Sequence, residues 1–148
     1  MSRNDGRIES EQEVEAYIQK LRYALSKGAS ITIVRNRNVD RGRDIRHTNR
    51  FTIADLFPDD NPVTALKREL GTLTVEDYIR TVNDDRYPDW SELREFGKRY
   101  GNSDVYIKMR VELIGQYGGK DILVLSFHYA EFEFDDNTFP YKRGSEEV

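Results

Sequence analysis

The sequence predicts an α+β fold, with N-terminal helices packed on a small twisted antiparallel sheet. Three observations carry that expectation. Val14, Ile18, Leu21 and Leu25 recur at helical spacing near the N-terminus. From Val105 to Leu113 the chain alternates: Val105, Ile107, Met109, Val111 and Leu113 face one way, Tyr106, Lys108, Arg110 and Glu112 the other. After the turn GQYGGK, whose Gly115, Gly118 and Gly119 suit a hairpin loop, a second strand-like run begins. The 148 residues, 17.4 kDa, suit one domain, with 1–9 and 143–148 as flexible tails.

Composition narrows the class. Hydrophobic residues make up 37% and charged residues 34%, which describes a very polar surface. No apolar run is long enough to span a membrane, and MSRNDGRIESEQ lacks the apolar centre of a signal peptide. The expectation is a cytoplasmic protein with no membrane contact. Zero cysteine removes disulfides and thiolate metal sites, and His47 and His128 are the only histidines. No metal and no cofactor are therefore expected. Asp84 and Asp85 offer oxygen ligands for Mg²⁺, but solvated loop charge is the simpler account.

The elements follow in order. Ser10 with Glu13 forms a capping-box pattern, and Gly28 ends the first helix. Residues 30–34, SITIV, form a short β-branched strand. Residues 35–50 carry Arg35, Arg37, Arg41, Arg43, Arg46 and Arg50 against Asp40 and Asp44. That segment reads either as an arm tracking a phosphate backbone, with Arg41 and Arg43 as substrate contacts, or as a solvated loop. His47 has no evident role. FTIADLF, 51–57, is one amphipathic turn with Thr52 as a candidate cap. Asn61 and Pro62 open a helix that Gly71 closes, sending Val63, Leu66 and Leu70 to the core. Thr74 and Asp77 cap a further short turn. Trp90 anchors the loop NDDRYPDW in the core or stacks on a base. Residues 93–100 are the first strand of a three-stranded sheet, with Lys98 near its end.

Register follows from burial. Matching the apolar faces pairs Met109 with Leu125 and Ile107 with Phe127. Tyr106 then opposes His128, and Lys108 opposes Ser126. On this reading Leu123, Leu125 and Phe127 share one face; Ile122, Val124, Ser126 and His128 share the other. Tyr106, Lys108, Arg110, Ser126 and His128 thus occupy one surface. A phenol, an imidazole and two cations suit phosphodiester chemistry, since imidazole titrates near neutrality and cations stabilise a developing pentacovalent phosphate. A sheet with one ordinary polar face is the plainer account.

The runs DVYIKM, ILVLSFHYAEFEF and FPYK, preceded by LTVEDY at 73–78 and FGK at 96–98, resemble the MqsR-like mRNA interferase toxins of type II toxin–antitoxin pairs. The resemblance covers roughly residues 62–142. It implies a RelE-like α+β fold, ribosome-independent cleavage of mRNA without metal, and neutralisation by a cognate antitoxin protein. Active-site positions carried over by the motifs are Asp77, Tyr78 and Arg80, then Lys98, Tyr106 and His128. The best-known member of the family has a lysine at the position of His128. The expected reaction is attack of a ribose 2′-hydroxyl on the adjacent phosphate, leaving a 2′,3′-cyclic end. His128, Tyr106, Lys98 and Lys108 would be catalytic; Arg80, Arg110, Tyr78, Asp77, Arg41 and Arg43 would hold substrate. The alternative is a catalytically inactive relative that binds RNA or protein; the net charge of −4 favours it, because proteins that approach RNA usually carry positive charge.

Overall fold

The computed structural model describes residues 6–34, 42, 44–84, 92–112 and 120–143. The expectations for Arg41, Arg43, Trp90, Leu113 and the glycine turn fall outside them. The class is α+β, but the sheet is larger and less uniform than expected. It has five strands: β1 (Ser30–Ile33), β2 (Tyr78–Val82), β3 (Leu93–Tyr100), β4 (Ser103–Glu112) and β5 (Asp121–Tyr129). Their spatial order is β1-β5-β4-β3-β2. All neighbours are antiparallel except β1, which runs parallel to β5, so the sheet is mixed. The parallel pair arises because β1 reaches the far edge of β5 through a long connection rather than a hairpin.

Helix α1 (Glu11–Ser26) forms where the pattern places it. Ser10 Oγ accepts from Glu13 N–H, and Glu13 returns a bond to Ser10 N–H. Gly28, at φ +77°, lets Gly28 and Ala29 donate back to the Leu25 and Ala24 carbonyls, a Schellman ending. Its buried stripe, Val14, Tyr17, Ile18, Leu21 and Ala24, covers one face of the sheet, where Tyr17 stacks on Phe96. Helix α2 (Asn49–Leu56) starts earlier than the sequence indicates, and Thr48, not Thr52, caps it by accepting from Phe51 N–H. Helix α3 (Pro62–Leu70) is capped by Asn61 and buries Ala65, Leu66 and Leu70, leaving Val63 half-buried. Thr74 and Asp77 close the turn at Val75–Asp77, the Asp77 carboxylate accepting from Thr74 N–H and the Thr74 carbonyl accepting from Asp77 N–H.

The core lies between α1 and the sheet. Val105, Ile107, Met109 and Val111 of β4 all enter it, as expected. On β5 the core residues are Ile122, Val124, Phe127 and Tyr129, which corrects the sequence reading. A bulge explains the change. Lys108 pairs with Ser126 but Met109 pairs with Val124, so Leu125 is an extra residue and the faces swap across it. Asn49 holds this irregular stretch. Its buried amide accepts from Phe127 N–H and donates to the Leu125 and Val34 carbonyls. Thr52 continues the seam, accepting from Tyr129 N–H. Helix α2 thereby satisfies the β5 edge beyond the end of β1.

Residues 6–9 and Arg143 are also not loose. Arg7 bridges to Thr81 through both backbone groups, Glu9 is buried, and Arg143 pairs with Glu11. Among the described residues no helix is long and apolar enough to cross a membrane.

Candidate active site

The face of the sheet opposite α1 is polar, and register assembles it in rows. One row runs Arg80, Glu95, Lys108 and Ser126 across β2, β3, β4 and β5. The next runs Gly97, Tyr106 and His128. Tyr106 and His128 stand as the alternation predicts, with ring centroids 5.4 Å apart. Arg80 Nε donates to the buried Glu95 carboxylate at 2.9 Å, and that bond raises the guanidinium above its ordinary range. Arg110, at the far end of the face, is only 2% exposed and donates to Asp84 at 2.7 Å. Gly97 has no side chain because Phe134 and Phe139 need the space. A Cβ there would lie 2.6 Å from the Phe134 ring.

Three sequence candidates lie elsewhere. Lys98 pairs with the core residue Val105, so it projects to the opposite face from Tyr106. There it donates to Thr72 Oγ1 and sits 3.8 Å from Asp77. Lys98 and Asp77 line a cavity of about 660 Å³ with Phe134 and Phe139, at the end of the sheet. Tyr78 is wholly buried between Phe96 and Tyr141, with its hydroxyl bonded to Glu9 N–H and Thr81. Burial pushes its phenol above the usual range, and its place is in the core.

One residue without an evident role in the sequence lies beside His128. His47 Nδ1 and His128 Nδ1 each lie 2.9 Å from the same oxygen, the Tyr129 carbonyl. The only two imidazoles in the chain, far apart in sequence, are therefore neighbours. A carbonyl only accepts, so both rings carry hydrogen at Nδ1 and turn Nε2 away. His47 sits in the turn Ile45–His47, capped by Asp44, just before the cap of α2. Its rarity is the signal available in the sequence; its arginine-rich surroundings hide it. The neighbouring Arg46 guanidinium covers the Tyr129 ring at 4.4 Å.

The polar face thus brings together Arg80, Tyr106, Lys108, Ser126 and His128, with Glu95 bonded to Arg80, and His47 meets His128 through the Tyr129 carbonyl. Among the described residues no group of three or more His, Asp or Glu is placed to hold a metal. No family model, no curated protein and no solved structure matches the chain.

Proposed function

We propose that this chain is an MqsR-like endoribonuclease toxin that cleaves mRNA through a 2′,3′-cyclic phosphate, without metal or ribosome, and is held in check by an antitoxin protein. The observation that carries the reading is the juxtaposition of Tyr106 and His128 on adjacent strands, with Lys108 and Arg80 one row away. Arg80, Tyr106 and His128 are also positions that the sequence resemblance assigns to the active site. In this mechanism Lys108 and Arg80 bind the scissile phosphate and stabilise its charge as it becomes pentacovalent. His128 takes the 2′-hydroxyl proton, and Tyr106 packs beside the ring and orients it. Lys98, on the other side of the sheet, is given no part in catalysis.

A second reading, a non-catalytic relative that binds RNA or protein, is favoured by burial. His128 is 4% exposed and Ser126 1%, so the static fold presents little of either side chain to a phosphate. Cleavage decides between the two. Wild-type protein and His128→Ala are incubated with a long mRNA in EDTA at low salt. Discrete fragments ending in cyclic phosphate are expected from wild type, and at least about 10²-fold fewer from His128→Ala. Intact RNA with both proteins would replace the nuclease reading by the binding one.

A further inference from the structure

The mechanism above gives His128 the proton of the attacking hydroxyl and leaves the departing 5′-oxygen without a donor. We propose that His47 is that donor: the general acid of RNA cleavage, paired with His128 as base. The inference rests on the nuclease reading. Its own ground is the shared carbonyl, since Tyr129 accepts from Nδ1 of both rings at 2.9 Å. Each imidazole keeps that bond whether neutral or charged, because the Nδ1 hydrogen is present in both states. In the proposed reaction each ring therefore exchanges its proton at Nε2, while Nδ1 stays tied to the end of β5.

The support behind His47 is built rather than incidental. The backbone before it is set by Asp44, which accepts from Arg46 N–H at 2.9 Å. The backbone after it is set by Thr48, whose hydroxyl caps α2 and donates to the Ile45 carbonyl. Helix α2 is in turn stitched to β5 by Asn49 and Thr52. His47 is half-exposed, beside a pocket lined by Arg46 and Ser103 but also by the carboxylates of Asp104 and Glu133, whereas His128 is buried beside Tyr106. On this difference in exposure the acid role, which serves the departing product, goes to His47 and the base role to His128.

The step balances. His128 Nε2 takes the 2′-hydroxyl proton as the 2′-oxygen–phosphorus bond forms. The phosphorus–5′-oxygen bond breaks, and the His47 Nε2 hydrogen passes to the 5′-oxygen. The products are a 2′,3′-cyclic phosphate and a 5′-hydroxyl, and exchange with water restores both imidazoles.

A leaving-group experiment tests the assignment. Single-turnover cleavage is measured on one RNA oligonucleotide with either oxygen or sulfur at the bridging 5′ position of the scissile bond. A thiolate departs without a proton, so the sulfur substrate does not need the acid. The variants are His47→Asn, whose amide still donates to the Tyr129 carbonyl but carries no transferable proton, and His128→Asn. His47→Asn is expected to slow the oxygen substrate by about 10²–10⁴-fold and to return to within about tenfold of wild type on the sulfur substrate. Its RNA affinity and melting temperature stay at the wild-type values, and His128→Asn stays slow on both substrates. Wild-type rates for His47→Asn on the oxygen substrate, or equal slowing on both, would overturn the role of His47 while leaving the nuclease reading in place. A wild-type protein that cleaves neither substrate overturns both.

Discussion

Glu9 is 4% exposed, yet it carries a charge that the fold has to satisfy. Its carboxylate accepts from Arg94 Nε at 2.9 Å, Arg94 Nη2 at 3.0 Å and Thr81 Oγ1 at 2.6 Å. Burial pushes such a group up, but here the Arg94 and Thr81 hydrogen bonds outweigh it and hold the carboxyl below its ordinary 4.5. A folded-state value below the unfolded one means that the stabilisation is complete above about 4.5 and is lost as pH falls through the folded value. Arg94 also covers the Tyr17 ring at 4.6 Å, so the pair ties the N-terminal segment to both α1 and β3. Replacing Glu9 by Gln leaves Arg94 without its counter-charge. At pH 7 the loss in unfolding free energy is expected to be about 2–3 kcal/mol, read from urea midpoints. The variant should also lose the share of acid sensitivity that Glu9 contributes as pH falls below 4.5. Identical pH slopes for the two proteins would show that Glu9 is not the group responsible. None of this is visible to hydrophobic periodicity, which is why residues 6–9 read as a loose tail.

Among the elements, the C-terminal segment 131–143 acts as a strap across the end of the sheet. Phe134 and Phe139 meet edge to face over Gly97, and Tyr141 stacks on Tyr78 with its hydroxyl bonded to the Glu9 carbonyl. Gly97→Ala places a methyl group 2.6 Å from the Phe134 ring, so either the strap or the strand has to shift. The expected cost is about 1–3 kcal/mol by denaturant unfolding. Phe134→Ala removes the obstacle, so Gly97→Ala should cost little in that background. Additive losses in the double-mutant cycle would show that the strap is not what Gly97 accommodates. The same region shows where sequence reasoning ran out. Helix ends were legible because caps are local: Ser10, Asn61, Thr74 and Gly28 each act within a turn. The opposition of Tyr106 and His128 was legible because β4 alternates strictly. The Leu125 bulge was not, since ILVL is apolar on both faces and its anchor, Asn49, is distant in sequence. The side on which Lys98 projects could have been read from the two-residue turn Gly101-Asn102, which pairs Tyr100 with Ser103 and hence Lys98 with Val105.

At the scale of the whole molecule, a net charge of −4 sits uneasily with an RNA partner. The structure locates one of the acidic groups that matters. Glu95 lies 3% exposed within the cationic row, bonded to Arg80 and directly opposite Lys108. In the proposed mechanism a phosphate has to compete with Glu95 for the Arg80 guanidinium, and distant surface acids are screened by salt while this one is not. Glu95→Gln keeps a hydrogen-bonding oxygen for Arg80 but removes the competing charge. The variant should bind a non-cleavable 2′-O-methyl RNA more tightly than wild type. Each phosphate contact on a single strand contributes about 0.7 to the slope of log affinity against log salt. A freed Arg80 should therefore steepen that slope by about 0.7. Fluorescence anisotropy at several salt concentrations reads both quantities. Tighter binding with an unchanged slope would place the gain in packing rather than in a new phosphate contact. Weaker binding would show that Glu95 positions Arg80 for RNA instead of withholding it, and the acidic row would then belong to the recognition surface itself.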